Sequence, residues 1–332
     1  MRWSLGPALI FYGLLTANPL SAVTPDSLEQ ARQTLKSAKI DISDKGLLEF
    51  FQSRAVQGDF KKINELVRKL GDDDFSVRES AARNLTRMGA SSIPALLTAR
   101  RSPDLEVRRR AIKCLKKINH RSKPRLVTAA AQLLAHSKPE GSAKVLLQCL
   151  PTIIGEEAVE SIHRALTAIA TTKKDQRQIL IDSLDSELGA AQAGAAVALS
   201  RAGVTTQLES IRKLLNSPDP MVRLQVGLAL AHRHEKEAIP VLIQLCSQLP
   251  RARLWQVEDL LYQLAIEKAP NVPFGQTEAS VKKFQEAWMS WWAKSSKTLD
   301  LKAKLTPKGT LGYTLIALLD EGKILELDKK NK

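Results

Sequence analysis

The chain has 332 residues, 44% of them apolar and only 5% aromatic, enough apolar material for a buried core and too much for a disordered polymer. Leu and Ala dominate, and Gly-rich or alternating β-branched runs are scarce before the C-terminus, so stacked helices are favoured over an all-β domain. A formal charge of +15 favours acidic partners, and three cysteines do not make a disulfide framework.

The first predicted element is a leader. Met1-Arg2 carries one charge, Leu5 to Leu15 forms an apolar run too short to span a bilayer as a helix, and Thr16 to Ala22 is small and polar. This order predicts a secretory signal peptide over residues 1–22, cleaved after Ala22, and hence export to the periplasm or another extracytoplasmic space. An uncleaved N-terminal membrane anchor and a buried N-terminal helix are the alternatives. Residues 23–46 form a polar lead-in or cap that begins helically at Ser27 to Leu35.

Residues 47–268 repeat themselves. A five-residue motif recurs as Asp74-Phe75-Ser76-Val77-Arg78, Asp104-Leu105-Glu106-Val107-Arg108 and Asp219-Pro220-Met221-Val222-Arg223. Each copy follows one apolar helix and opens another: the Asp can accept from the free amides of the second helix, and the Val starts its buried stripe. Val77 to Val107 is 30 residues, and Ala191 to Val222 and Val226 to Val257 are 31 each, so the unit is a helical hairpin. From Val107 to Ala191 the interval is 84, which breaks the period and predicts an extra helix or inserted loop near Ile154 to Asp175. The fold predicted is all-α, a right-handed α-solenoid of six or seven helical hairpins.

The D-x-x-V-R copies, the Ala-x-x-Leu pattern after them, and the pairs Ile93-Pro94 and Ile239-Pro240 at first-helix starts resemble bacterial HEAT repeats of the type found in phycobilisome-lyase-like proteins. The resemblance covers about two thirds of the chain. It implies a ladder in which the Asp and Arg of neighbouring repeats hydrogen-bond inside the solenoid, carried here by Asp74, Arg78, Asp104, Arg108, Asp219 and Arg223, all structural in role.

In residues 269–305 the period stops, and a helix carries Phe284, Trp288, Trp291 and Trp292 on one broad face. A cap that seals the last repeat is expected, with a stacking platform for sugars or bases as the alternative. In residues 306–332, two apolar runs, Tyr313 to Leu319 and Ile324 to Leu327, flank Asp320-Glu321-Gly322-Lys323 and predict a β-hairpin. The order of repeats, W-x-x-W-W helix and hairpin resembles exported bacterial proteins in which a β-propeller follows, so the hairpin is expected to be a propeller remnant.

No catalytic residue, cofactor site or metal site is predicted. G-x-x-x-x-G-K-[ST], G-x-S-x-G, G-x-G-x-x-G and H-E-x-x-H are all missing from the sequence. His232 and His234, two apart on a helix, would project about 200° apart and could not chelate one ion. Glu156-Glu157 and Glu258-Asp259 read as ordinary surface carboxylates with nothing to raise their pKa. Cys114, Cys149 and Cys246 each fall in an apolar helical stripe and read as buried, inert thiols, with one disulfide left open in an oxidising compartment.

The candidate binding site is a basic tract. Between Arg101 and Arg125 there are ten Lys or Arg against Asp104 and Glu106. On a helix, Arg109, Arg110, Lys113, Lys116 and Lys117 span about 120° opposite the apolar positions Val107, Ala111, Cys114, Leu115 and Ile118. Two functions remain open: a non-enzymatic scaffold gripping a protein partner, and a binder of nucleic acid or another acidic polymer, similar in architecture to HEAT-like DNA glycosylases. A chromophore lyase or isomerase has fold-level support alone.

Overall fold

A computed structural model describes residues 25–55, 60–272, 275, 277–305, 313–318 and 323–328. The predicted leader and the tip of the predicted hairpin lie outside the described residues. In chain order the helices are α1 (Pro25–Ser37), α2 (Asp44–Gln52), α3 (Phe60–Arg68), α4 (Phe75–Met88), α5 (Ile93–Ala99), α6 (Leu105–Ser122), α7 (Pro124–Ser137), α8 (Ser142–Cys149), α9 (Glu156–Thr172), α10 (Lys174–Asp182), α11 (Gly189–Arg201), α12 (Leu208–Lys213), α13 (Pro220–His232), α14 (Ala238–Leu245), α15 (Arg251–Ala265), α16 (Glu278–Ser295) and α17 (Leu301–Leu305). Strands β1 (Tyr313–Leu318) and β2 (Lys323–Asp328) pair antiparallel, with Tyr313 opposite Asp328 and Leu318 opposite Lys323.

The motif aspartates start the helices. Asp74, Asp104 and Asp219 sit in extended backbone, and their carboxylates accept from the amides of Ser76 at 2.6 Å, Glu106 at 2.8 Å and Met221 at 2.8 Å. Such a cap stabilises its helix by about 1 kcal/mol. Pro124 opens α7, and the residue before a proline is pushed out of the helical region. Lys123 accordingly stands at φ 44°, ψ 77°, and α6 stops there.

Two rows of helices follow from stacking the pairs. α7, α9, α11 and α13 lie side by side in an inner row, more closely than the outer helices α8, α10, α12 and α14 lie to one another. The inner row can close up because its facing residues are small: Ala130 and Ala131, Ala158 and Ala165, Ala195 and Ala198 are fully or almost fully buried. The closer spacing of one row curves the array toward it.

The break in period has a different cause from the one expected. Residues 156–172 form an ordinary inner helix, α9, and the extra element lies earlier. α6 and α7 are both inner-type helices with no outer helix between them, and α7 takes its neighbours from the start of the chain: α1 joins the inner row beside it, and α2 lies beside α7 and α8 in the outer row. α3 to α6 are thus a two-hairpin insertion between α2 and its partner α7. Thr152 fastens the closure by donating to the Arg54 carbonyl at 2.7 Å.

Two cores result. The larger joins α1, α2 and the helices from α7 onward, and the smaller, around Ile63, Leu70, Leu85, Ile93, Leu96 and Leu115, lies within α3 to α6. α16 and α17 finish the larger core, with Phe284, Trp288, Trp291 and Trp292 buried under them. Trp288 meets Tyr262 and Trp291 edge-on, with ring centroids 5.3 Å apart in both pairs, a geometry aromatic quadrupoles favour. Buried in this way, the four rings offer no open stacking platform.

Leu115→Asp places an unpaired carboxylate in the smaller core and is expected to cost about 3 kcal/mol or more. Because the cores are separate, melting followed by circular dichroism should show residues 60–122 unfolding ahead of the rest. A single shifted transition for the whole chain would show that the two cores fold as one.

Candidate interaction surface

The basic tract folds into α6, which begins at Leu105 directly after the capping Asp104. Its core side carries Ala111, Cys114, Leu115 and Ile118. On the opposite side Leu105, Arg109, Ile112 and Lys116 fall within roughly 60° of one another, with Lys113 beside them. Arg109, Lys113, Lys116 and Lys117 are exposed. Leu105 is 51% exposed and Ile112 38%, so the helix shows solvent an alternation of cations and aliphatics.

Arg110 does not belong to that face. Its guanidinium binds Glu79 of α4 at 2.5 Å and Glu106 of its own helix at 2.6 Å, which leaves the side chain 11% exposed. The hydrogen bond from Arg110 holds the Glu79 carboxyl below the usual carboxylate range. Arg78 approaches Glu106 at 3.6 Å, and Arg78 and Arg110 flank the Phe75 ring with each guanidinium 5.7 Å from its centroid. Phe75, 63% exposed, stands at the N-terminal end of α4, on the side that faces Arg110 of α6. Sequence reading missed Phe75, Leu105 and Ile112; for Phe75 and Leu105 the signal was their place directly after a motif Asp, and for Ile112 its spacing of two turns from Leu105.

The six motif residues make their bonds mainly within their own repeats. Arg78 donates to the carbonyls of Asp72 and Asp73, Arg108 to those of Ser102 and Pro103, and Arg223 to that of Ser217. Arg223 also bonds the Gln248 side chain of the next repeat. Each Arg thus ties down the turn that its own Asp caps, and the Asp-to-Arg rungs implied by the resemblance do not join these six. Instead, glycines let neighbouring repeats approach. A Cβ on Gly71 would fall 2.8 Å from Val107 and 3.0 Å from Asp104, and one on Gly189 would fall 3.0 Å from both Asp219 and Val222.

Further along the inner row, Glu160 of α9 accepts from Arg201 of α11 at 2.7 and 3.1 Å. Burial works to raise the Glu160 carboxyl, but the Arg201 charge and hydrogen bond outweigh it and hold it below its ordinary value. His163, 5% exposed, has its Nδ1 4.0 Å from Glu160 and no hydrogen-bond partner at Nε2. Burial, opposed by Glu160, pushes this imidazole down to about 4. Arg253, in the first turn of α15, pairs with Glu156 at the start of α9.

α15 carries the opposite chemistry from α6. Trp255, Tyr262 and Ile266 are exposed on one stripe, with Glu258 and Asp259 between them. Desolvation raises both carboxyls above their ordinary values, which the sequence reading did not anticipate, although Asp259 also accepts from Gln263 at 3.0 Å. His232 ends α13 and His234 lies beyond it at φ 71°, so the two do not share a helix. Cys114, Cys149 and Cys246 are buried free thiols, with burial pushing Cys246 up to about 12. Among the described residues no His, Cys, Asp and Glu cluster could hold a metal ion, and no helix is long and apolar enough to cross a membrane.

A family model described as HEAT repeats matches residues 63–150 and 177–260, just over half of the chain. No curated protein matches. Solved structures that match number 15 chains. One, the crystal structure of an engineered protein, is 21% identical over 69% of this chain and 95% of its own, with a TM-score of 0.18.

Arg110→Ala removes the tie between α4 and α6 and is expected to lower stability by about 1 kcal/mol, whereas Arg109→Ala should change it by no more than about 0.5 kcal/mol; chemical denaturation of the two variants reads the difference. For His163 the folded-state value of about 4 lies below the ordinary 6.5. The unfolded chain therefore takes up the proton first, so stability is complete above pH 6.5 and falls as the pH drops toward 4. The loss should be on the order of 3 kcal/mol across that window, and His163→Leu should flatten it; an unchanged pH profile in that variant would assign the slope to other groups.

Proposed function

The chain belongs to the HEAT-repeat family, and on that premise we propose that it is an exported, non-enzymatic scaffold that holds a partner protein along its inner helix row. Stacked helical pairs bury each unit against its neighbours and leave one long surface for recognition. The observation that carries the reading is the outward side of α6, where Leu105 and Ile112 stand exposed among Arg109, Lys113 and Lys116. Exposed aliphatics gain nothing from a phosphate or sulfate backbone, but they gain about 25 cal/mol for each Å² that a protein surface covers. Export rests on the charged, apolar and small-residue order of residues 1–22.

A second reading, a binder of nucleic acid or another acidic polymer, draws on the +15 charge and on the same exposed cations. Counterion release makes such binding fall steeply with salt, while an interface with an apolar centre holds. A pull-down from extracytoplasmic extract, titrated with salt, separates the two. One defined protein retained at about 0.3 M salt, well above the concentration at which exposed charges are screened, is the expected result. Capture of mixed polyanions that vanishes as salt rises would overturn the scaffold reading.

A further inference from the structure

Among the described residues, the insertion of α3 to α6 leaves an open flank beside α6. In an unbroken array each inner helix has an inner helix on both sides, and a terminal one needs a polar cap to end the stack. α6 packs against α3, α4 and α5, but the next inner helix, α7, stacks between α1 and α9 instead. α6 is therefore the last inner helix of its short stack. Its free side is not a polar cap, since it shows Leu105 and Ile112.

We infer that this face docks an amphipathic helix of a partner protein, apolar along one stripe and acidic on both flanks, laid beside α6 where the next inner helix would stand. The inference rests on the scaffold reading and names the chemistry of its partner. Leu105 and Ile112 are seven residues apart, two helical turns, and match the i, i+3/i+4, i+7 anchors of a helix in a groove. Arg109 and Lys116 fall between and beyond them on the same line, and Lys113 and Lys117 extend the positive charge to one side. A partner with acids flanking its apolar stripe would place opposite charges beside these four cations, which steers encounter and sets specificity.

The surface is tested with a synthetic 18-residue helical peptide that has Leu at i, i+3, i+4 and i+7 positions and Glu on the flanks. A permuted peptide of the same composition, in which the Leu residues share no face, and inorganic polyphosphate are the comparators. Fluorescence anisotropy should show the patterned peptide binding roughly tenfold more tightly than the permuted one. Leu105→Ser with Ile112→Ser should remove that advantage, as should Arg109→Glu with Lys113→Glu, while Arg164→Glu on α9 should leave it intact. Circular dichroism and melting of each variant confirm that it is folded; all five positions substituted are exposed.

Equal binding of the permuted peptide or of polyphosphate overturns the inference in favour of charge alone. A wild-type dimer in sedimentation that Leu105→Ser with Ile112→Ser dissolves would assign the face to a second copy and also overturn it. If the protein retained in the salt-titrated pull-down binds the Leu105→Ser, Ile112→Ser variant undiminished, the scaffold reading stands and the α6 assignment falls.

Discussion

Close approach of the inner helices is the constraint on which the rest of the molecule depends. α7, α9, α11 and α13 lie near enough for their backbones to define the curvature because alanines fill the seam between them. Larger residues there would push the row apart and straighten the array. Glycine does the same service at the turns, where Gly71 and Gly189 admit the Asp and Val of the following repeat. An interior packed to crystal density tolerates little else at those points.

From that seam follows the division of charge. Side chains facing the seam or the outer row are spent on burial, so the outward side of each inner helix is where polar residues can vary without cost to the stack. On α6, in the inserted stack, that side is cationic; α15, near the end of the helical region, shows acidic and aromatic residues to solvent. On α9, Glu160 and Glu156 are paired with Arg201 of α11 and Arg253 of α15, so their charges are neutralised. The +15 net charge is therefore a poor description of what a partner meets, because the sign of the surface changes along its length.

Local features of the fold were legible in the residues, and non-local ones were not. Asp74, Asp104 and Asp219 announce helix starts because a cap is made by one side chain and the two or three amides after it. The spacing of 30 or 31 residues announces the hairpin for the same reason. Nothing in a linear pattern says that α2 will pair with α7, since that choice is made by packing across the insertion. The candidate site divides along the same line. Arg109 and Arg110 are adjacent and chemically identical in sequence, yet one faces water and the other is drawn to Glu79, which lies 31 residues away. Glu258 and Asp259 likewise look like any surface carboxylates until the neighbours that desolvate them are in place.

The placement of α3 to α6 between α2 and α7 also orders events in time. During synthesis α1 and α2 emerge first, but the helices they pack against follow only after the whole inserted stack has been made. The bond from Thr152 to the Arg54 carbonyl closes a loop of 98 residues. Such contacts come late, because chain closure must be met before they return any stabilisation. The inserted hairpins, whose contacts are local, can form while the chain is still growing. Until α7 arrives, the apolar sides of α1 and α2, with Leu35, Leu47 and Phe51, have no cover in the nascent chain, which makes this stretch the one most prone to aggregate during synthesis.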